Sequence, residues 1–352
     1  MQRTTAESAT PPAGRSSPFA GLSDRPVFVG ACPRSGTTLL RTMLNSHPGL
    51  AVPHETRFAV DVWQRRAQFG DLSDPQNRRR LARWIVKRPK SRVHRLDAEP
   101  KEIVARLVAA PPTIGSLLGS CFALYAERHG KPRWGDKRPS YAQHLDAVFA
   151  MFPDAQYINI VRDPRAAVAS MRKIGWFNGD VVPAADVWER AVRSVDAWRK
   201  RLAPDQILEI QYEDLVADPQ GAVERIVGFL GLDPDGIEAM LSFHENSDIP
   251  KSGRFHPLVS TPVTTSALRT WEESLSREEI AFLERTLAGK MRRYGYEPIA
   301  ADVRVPVEMR RGFKRRQRHK ARERLSGTVG EAKLRFTYRQ PVAARLTSGQ
   351  RR

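Results

Sequence analysis

The sequence predicts an α/β fold: a P-loop-like parallel β-sheet flanked by helices. Three stretches carry that expectation. Residues 26–32 (PVFVGAC) form a short apolar run ending in turn residues, and Leu39, Leu40, Met43 and Leu44 then fall at helical spacing. Residues 157–163 (YINIVRD) repeat the pattern, followed by a helix with Pro164 suited to its first turn. Residues 207–215 (ILEIQYEDL) give a third strand running into an acidic turn. The amphipathic stretch 221–232 follows, closed by Gly231. Strands alternating with helices are the pattern of a parallel sheet covered on both faces.

The remaining segments fit around this frame. Residues 1–24, rich in Ser, Thr, Ala, Pro and Gly, read as a disordered leader. Residues 25–300 form the folded domain, with a helical insertion at about 64–110. That insertion carries Arg78, Arg79, Arg80, Arg83, Lys87 and Arg88, either a solvated helix face or part of an acceptor-binding cap. Residues 113–129 read as a core helix, and Val187–Leu202 as another. From about residue 304 the pattern is lost. Residues 301–352 read as a basic tail, solvated or disordered, or as a basic amphipathic helix docking on membrane, nucleic acid or an acidic partner.

Charge and cysteine content narrow the function classes. The formal net charge of the 352 residues is +19, which predicts anionic partners. Arg304–Arg352 holds 16 Lys/Arg and 3 Asp/Glu, a net of +13, so the excess belongs mostly to the tail. That tail lacks interleaved aromatics, which argues against nucleic acid. Cys32 and Cys121 make no disulfide framework and read as reduced thiols of a cytoplasmic protein. No run of about 20 apolar residues is present, nor a signal-peptide core near the N-terminus. The count of 46 Arg against 12 Lys points to a GC-rich bacterial genome.

Two constellations carry chemistry. The first is VGACPRSGTTLL, a glycine-containing loop between strand and helix that aims backbone N–H groups at an anion. It departs from the nucleotide P-loop, because Gly36 is followed by Thr37 and Thr38 and the cation, Arg34, precedes the glycine. The missing lysine disfavours a P-loop kinase or NTPase. Arg34 offers planar donors for a phosphosulfate, and Ser35, Thr37 and Thr38 add hydroxyls and amides. The second is Arg162 at a strand end with Ser170 in the next helix, a pair able to converge on a single phosphate.

With both on the page, the chain resembles the sulfotransferase superfamily, in particular bacterial members similar to the tyrosylprotein sulfotransferases. PRSGTTLL resembles that family's 5′-phosphosulfate loop, and VRDPRAAVASM its 3′-phosphate motif. HPGLAVPHETRF resembles the tyrosylprotein branch after the first helix. YEDLVADP with GFLGL matches a later strand and helix, and TPVTTSALRTWEE, followed by GYEP, the loop that closes over the nucleotide. The resemblance covers roughly residues 25–299. It implies a sulfotransferase fold and sulfuryl transfer from 3′-phosphoadenosine 5′-phosphosulfate, without metal, to a hydroxyl acceptor: a glycan, a lipid, a small molecule or protein tyrosine. A peripheral attachment of the tail to an anionic membrane, or the role of an anionic-polymer binding module, stands beside it.

The resemblance also implies residue roles. Arg34, Ser35, Gly36, Thr37 and Thr38 hold the 5′-phosphosulfate; Arg162 and Ser170 hold the 3′-phosphate; Tyr212 lies on the adenine side. A lysine of the closing loop in tyrosylprotein enzymes falls at Thr270, with Arg269 beside it as the substitute. An arginine after the 3′-phosphate motif falls near Ile174, with Arg172 and Lys173 as neighbours. Glu55 matches the base of the tyrosylprotein branch, with His54 as the alternative. Lys137 matches a lysine that, with Arg34, neutralises the leaving oxygen.

Overall fold

The computed structural model describes residues 25–174, 177, 180–245, 263–266 and 268–344. The expected leader at 1–24, the start of the closing loop through residue 262 with position 267, and the last eight residues of the basic tail lie outside the described residues. Five strands form one parallel sheet: β1 (Val27–Ala31), β2 (Leu50–Ala51), β3 (Arg133–Lys137), β4 (Gln156–Val161) and β5 (Ile207–Gln211), in the order β2-β3-β1-β4-β5. The helices among the described residues are α1 (Thr37–Ser46), α2 (Phe58–Gln64), α3 (Pro75–Lys87), α4 (Pro100–Ala109), α5 (Ile114–Arg128), α6 (Leu145–Met151) and α7 (Pro164–Arg172). They continue with α8 (Val181–Arg199), α9 (Tyr212–Ala217), α10 (Pro219–Leu230), α11 (Ile237–Leu241), α12 (Trp271–Ser274), α13 (Arg277–Arg293) and α14 (Val307–Thr337).

Alternation along β1 divides the core. Phe28 points to one face, among Trp134, Tyr141 and Phe152. Val27, Val29 and Ala31 point to the other, among Leu40, Leu44, Ile226 and Leu230. Helix ends follow the sequence signals. Asp163 caps α7, its carboxylate accepting from the Arg165 amide at 2.8 Å, with Pro164 in the first turn. Asp218 and Pro219 open α10, and Gly231, in the left-handed region at φ 64°, closes it.

Three features differ from the sequence expectation. β3 was not anticipated: RWGDK carries no apolar run, yet all five residues are buried in mid-sheet. The 207–215 strand stops at Gln211, and the chain turns helical at Tyr212. The region from 304 is neither patternless nor amphipathic in the usual sense: α14 is one 31-residue helix held by specific polar contacts. Arg316 Nε and Gln317 Nε2 donate to the fully buried Asp186 at 3.1 and 2.7 Å, and Phe313 packs edge-on against Phe282. Beyond the helix, the Gly115 amide donates to Val342 O at 2.8 Å and Ala344 N to Met151 O at 2.9 Å. A Cβ on Gly115 would sit 2.3 Å from Met151 O, so this close approach requires glycine.

Candidate active site

All five strands end at one edge of the sheet, and each delivers a charged or aromatic residue there. Arg34 follows β1, Glu55 follows β2, Lys137 closes β3, Arg162 follows β4 and Tyr212 follows β5. The sheet order places β3 on one side of β1 and β4 on the other. The loop after β1 therefore opens where chain order reverses, the crevice at which open α/β sheets take ligands.

On the β1–β4–β5 side, Gly36 adopts φ 92° at the start of α1, and a Cβ there would lie 2.3 Å from the Tyr212 ring. Both the conformation and the aromatic neighbour demand glycine. Arg34 is itself left-handed at φ 69°, uncommon for a residue with a side chain. Its Nε donates to Ser170 Oγ at 3.0 Å. Arg162 Nη1 donates to the Arg34 carbonyl at 3.2 Å, and the Arg162 guanidinium lies 4.4 Å from the Tyr212 ring centroid. Arg34 is thus drawn toward the Arg162–Ser170 pair, whereas the sequence assigned it to the 5′ group alone.

Burial, and then the like charge of Arg162, holds the Arg34 guanidinium below its usual range. Two converging guanidiniums beside a hydroxyl are an arrangement that an anion relieves. Ser35 Oγ is fully buried with no hydrogen-bond partner among the described residues. Thr37 and Thr38 occupy the first turn of α1, where amides lack intrahelical partners. These residues fit a nucleotide carrying phosphate at two ends.

Motifs far along the chain support this side. Trp188 Nε1 donates to the Arg162 carbonyl at 2.9 Å. The Asp163 amide donates to Glu213 Oε1 at 3.0 Å, and Tyr296 OH to Glu213 Oε2 at 2.9 Å. Arg165 bridges Asp163 and Glu284, each at 2.7 Å, and stacks 4.2 Å from the Trp271 ring centroid. The YEDL and GYEP stretches, and the tryptophan ending SALRTW, therefore converge on one strand end. Arg269 does not: its side chain is 74% exposed and paired with Glu272.

On the β2–β3 side, the Glu55 carboxylate lies 3.6 Å from Lys137 Nζ, 3.4 Å from Arg92 and 3.5 Å from Arg57. Its backbone is gripped from several directions. Arg95 donates to Glu55 O at 2.9 Å. Thr56 Oγ1 donates to the buried Asp136 at 3.0 Å, and the Arg57 amide to Ser91 O at 2.9 Å. Arg41, fully buried on α1, donates to the Val52 and Pro53 carbonyls just before it. Burial pushes the Glu55 carboxyl up, but Lys137, Arg92, Arg57 and Arg138 together outweigh it and hold the group below the usual carboxylate range. Burial likewise lowers Lys137, against Glu55, which raises it. Burial lifts Asp136 to about 6, despite hydrogen bonds from Tyr141 and Thr56. His54 is half-buried beside Glu55.

Sequence reasoning missed Arg92, Arg95, Arg57, Arg138 and Asp136. It had marked the arginine-rich helix, but Arg78 and Arg80 donate to nearby carbonyls and serve the insertion's own packing. Of the arginines around Glu55, Arg92 and Arg95 lie in the short loop after that helix, while Arg57 follows Glu55 itself. Among the described residues, no group of three or more His, Cys, Asp or Glu is placed to hold a metal. No described helix is long and apolar enough to cross a membrane. Cys32 and Cys121 are buried and unpaired with each other, and burial pushes the Cys121 thiol up to about 12.

Comparison with known proteins bears on this geometry. Residues 26–236 match the model of the sulfotransferase family. Protein-tyrosine sulfotransferase A of Caenorhabditis elegans is 27% identical over 296 residues, 81% of this chain and 69% of that protein. Protein-tyrosine sulfotransferase 1 of Danio rerio is 27% identical over 300 residues, 81% of this chain and 76% of that one. Among solved structures, the sulfotransferase domain from the Synechococcus PCC 7002 olefin synthase superposes with a TM-score of 0.53 at 27% identity. It covers 76% of this chain and 95% of that domain.

Proposed function

This chain belongs to the sulfotransferase family, and we propose that the two sides of its crevice divide the transfer of a sulfuryl group from 3′-phosphoadenosine 5′-phosphosulfate to a hydroxyl acceptor. Arg162 and Ser170 bind the 3′-phosphate, with Arg34 spanning from there to the 5′ end. Ser35, Gly36, Thr37 and Thr38 take the 5′-phosphosulfate at the start of α1, and Tyr212 lies on the adenine side. The observation that carries this reading is the Arg34–Ser170 hydrogen bond, which joins the loop after β1 to α7, 136 residues on, beside a second guanidinium. Arg269, turned outward to Glu272, is left out of the set.

Glu55 is the general base. Its low pKa keeps it ionised at neutral pH, ready for the proton that the acceptor hydroxyl loses as its oxygen attacks sulfur. The bond from sulfur to the bridging phosphate oxygen breaks, and 3′,5′-adenosine bisphosphate leaves with the negative charge. Lys137, buried and 3.6 Å from Glu55, stabilises that charge, with Arg34 on the far side. The names of the relatives make a tyrosyl hydroxyl the first acceptor to try. The cations around Glu55 favour an acceptor that brings negative charge with it.

The test is thermal stabilisation by 3′,5′-adenosine bisphosphate against ATP with Mg²⁺. At 100 times its Kd a ligand stabilises the fold by about 2.7 kcal/mol, which is visible as a rise in Tm. The bisphosphate is expected to act alone, and less strongly on Ser170→Ala. Stabilisation by Mg-ATP but not by the bisphosphate would overturn the assignment of the donor.

A further inference from the structure

α14 has two unlike sides. Met309, Phe313, Arg316 and Gln317 face the domain, where they meet the α8 and α13 helices. Toward the C-terminal end of the helix, Glu331 pairs with the buried Arg66 and fixes the far end. Between these anchors, residues 321–330 are exposed at every position.

Positions 311, 315, 318, 322, 325 and 329 advance by four, three, four, three and four, the helical repeat that keeps them on one stripe. They are Arg311, Arg315, Arg318, Arg322, Leu325 and Val329, all exposed, and they lie opposite the docked side. None of the four arginines forms an ion pair with a described residue. The acidic residues of the helix avoid this stripe. Glu308 stands in the first turn, Glu323 turns aside to Lys320 and His319, and Glu331 faces the domain. Leu325 and Val329 are 69% and 71% exposed, the most exposed large apolar side chains among the described residues.

We propose that this outward stripe of α14 seats the enzyme on an anionic lipid surface. A straight run of four guanidiniums over about 17 Å complements a plane of lipid phosphates. An anionic polymer would satisfy the arginines equally well. It gives no reason for two aliphatic side chains one turn apart to stand in water beside them. At a lipid surface Leu325 and Val329 enter the acyl boundary while the arginines stay at headgroup level. Docking through Phe313, Arg316 and Gln317 on one flank and Glu331 on the other holds the intervening stretch in place.

The experiment is co-sedimentation of the full chain with phosphatidylcholine vesicles and with vesicles containing phosphatidylglycerol at near-physiological salt. The chain is expected to pellet with the anionic vesicles only. Replacing Arg311, Arg315, Arg318 and Arg322 by Gln together should weaken that binding at least about tenfold with Tm nearly unchanged, since these side chains are exposed and pair with no described acidic residue. Val329→Trp, in a second arm, should shift its emission to the blue on anionic vesicles, reporting entry into lipid. Equal pelleting with neutral vesicles, or undiminished binding by the Gln variant, overturns the proposal. So does retention on heparin or RNA with no blue shift on vesicles, which assigns the stripe to a polymer.

Discussion

On the β1–β4–β5 side of the crevice, Arg34, Arg162 with Ser170, and Tyr212 each stand within a turn or two of their strand ends, and backbone amides of α1 complete the set. On the β2–β3 side, Glu55 is held by Arg41 from the first helix, Arg92 and Arg95 from the insertion, and Asp136 and Lys137 from a buried strand. The first side is built from short segments that each follow a strand end. The second is a long-range assembly in which one carboxylate is surrounded by cations. Binding of the donor should therefore reside in the first, and chemistry with choice of acceptor in the second.

The sharpest break of that division is Glu55→Gln. The carboxylate's hydrogen-bonding shape survives while its basicity is lost, so kcat should fall by about 10²–10⁴-fold. Affinity for 3′,5′-adenosine bisphosphate, read by calorimetry, should stay within a few-fold of the parent. A similar loss in both quantities would mean that the two sides act as one.

Arg162→Ala makes the reciprocal cut. Hydrogen bonds to charged groups contribute about 1.5–3 kcal/mol, so bisphosphate affinity should drop by about tenfold to a hundredfold. The loss should appear in KM for the donor more than in kcat. Because Arg162 also stacks on Tyr212, which packs against Gly36, an equal fall in kcat would place this arginine's influence on the chemistry through the first loop.

The same contrast decides what the sequence could carry. The donor side was legible because each part is a strand, a loop and a helix start in consecutive residues: apolar run, Gly36 or Pro164, then helical spacing. β3 was not legible. Arg133, Asp136 and Lys137 break any apolar run, and they are buried only because β1 and β2 close over them. The cations that tune Glu55 were hidden for the same reason, since Arg92 and Arg95 are distinguished from their neighbours only by where the short turns after α3 point them. α14 was missed as a docked element because its anchors, Asp186, Arg66 and Gly115, lie far back in the chain.

The smallest expected effect tests the electrostatics of the second side alone. Glu55 is depressed, so its ionised form is favoured in the folded state. It contributes stability at neutral pH that is lost as pH falls through its own low value. A base must be deprotonated to act, so kcat/KM should fall on the acid side with a limb below the usual carboxylate range, and be flat from there toward neutrality. Arg92→Gln removes one of the cations that hold the group down, while Lys137 and Arg57 remain. Its limb should move upward in pH, with the plateau nearly unchanged and bisphosphate affinity untouched. A limb that stays put while the plateau falls would make Arg92 a contact for the acceptor and not a tuner of the base.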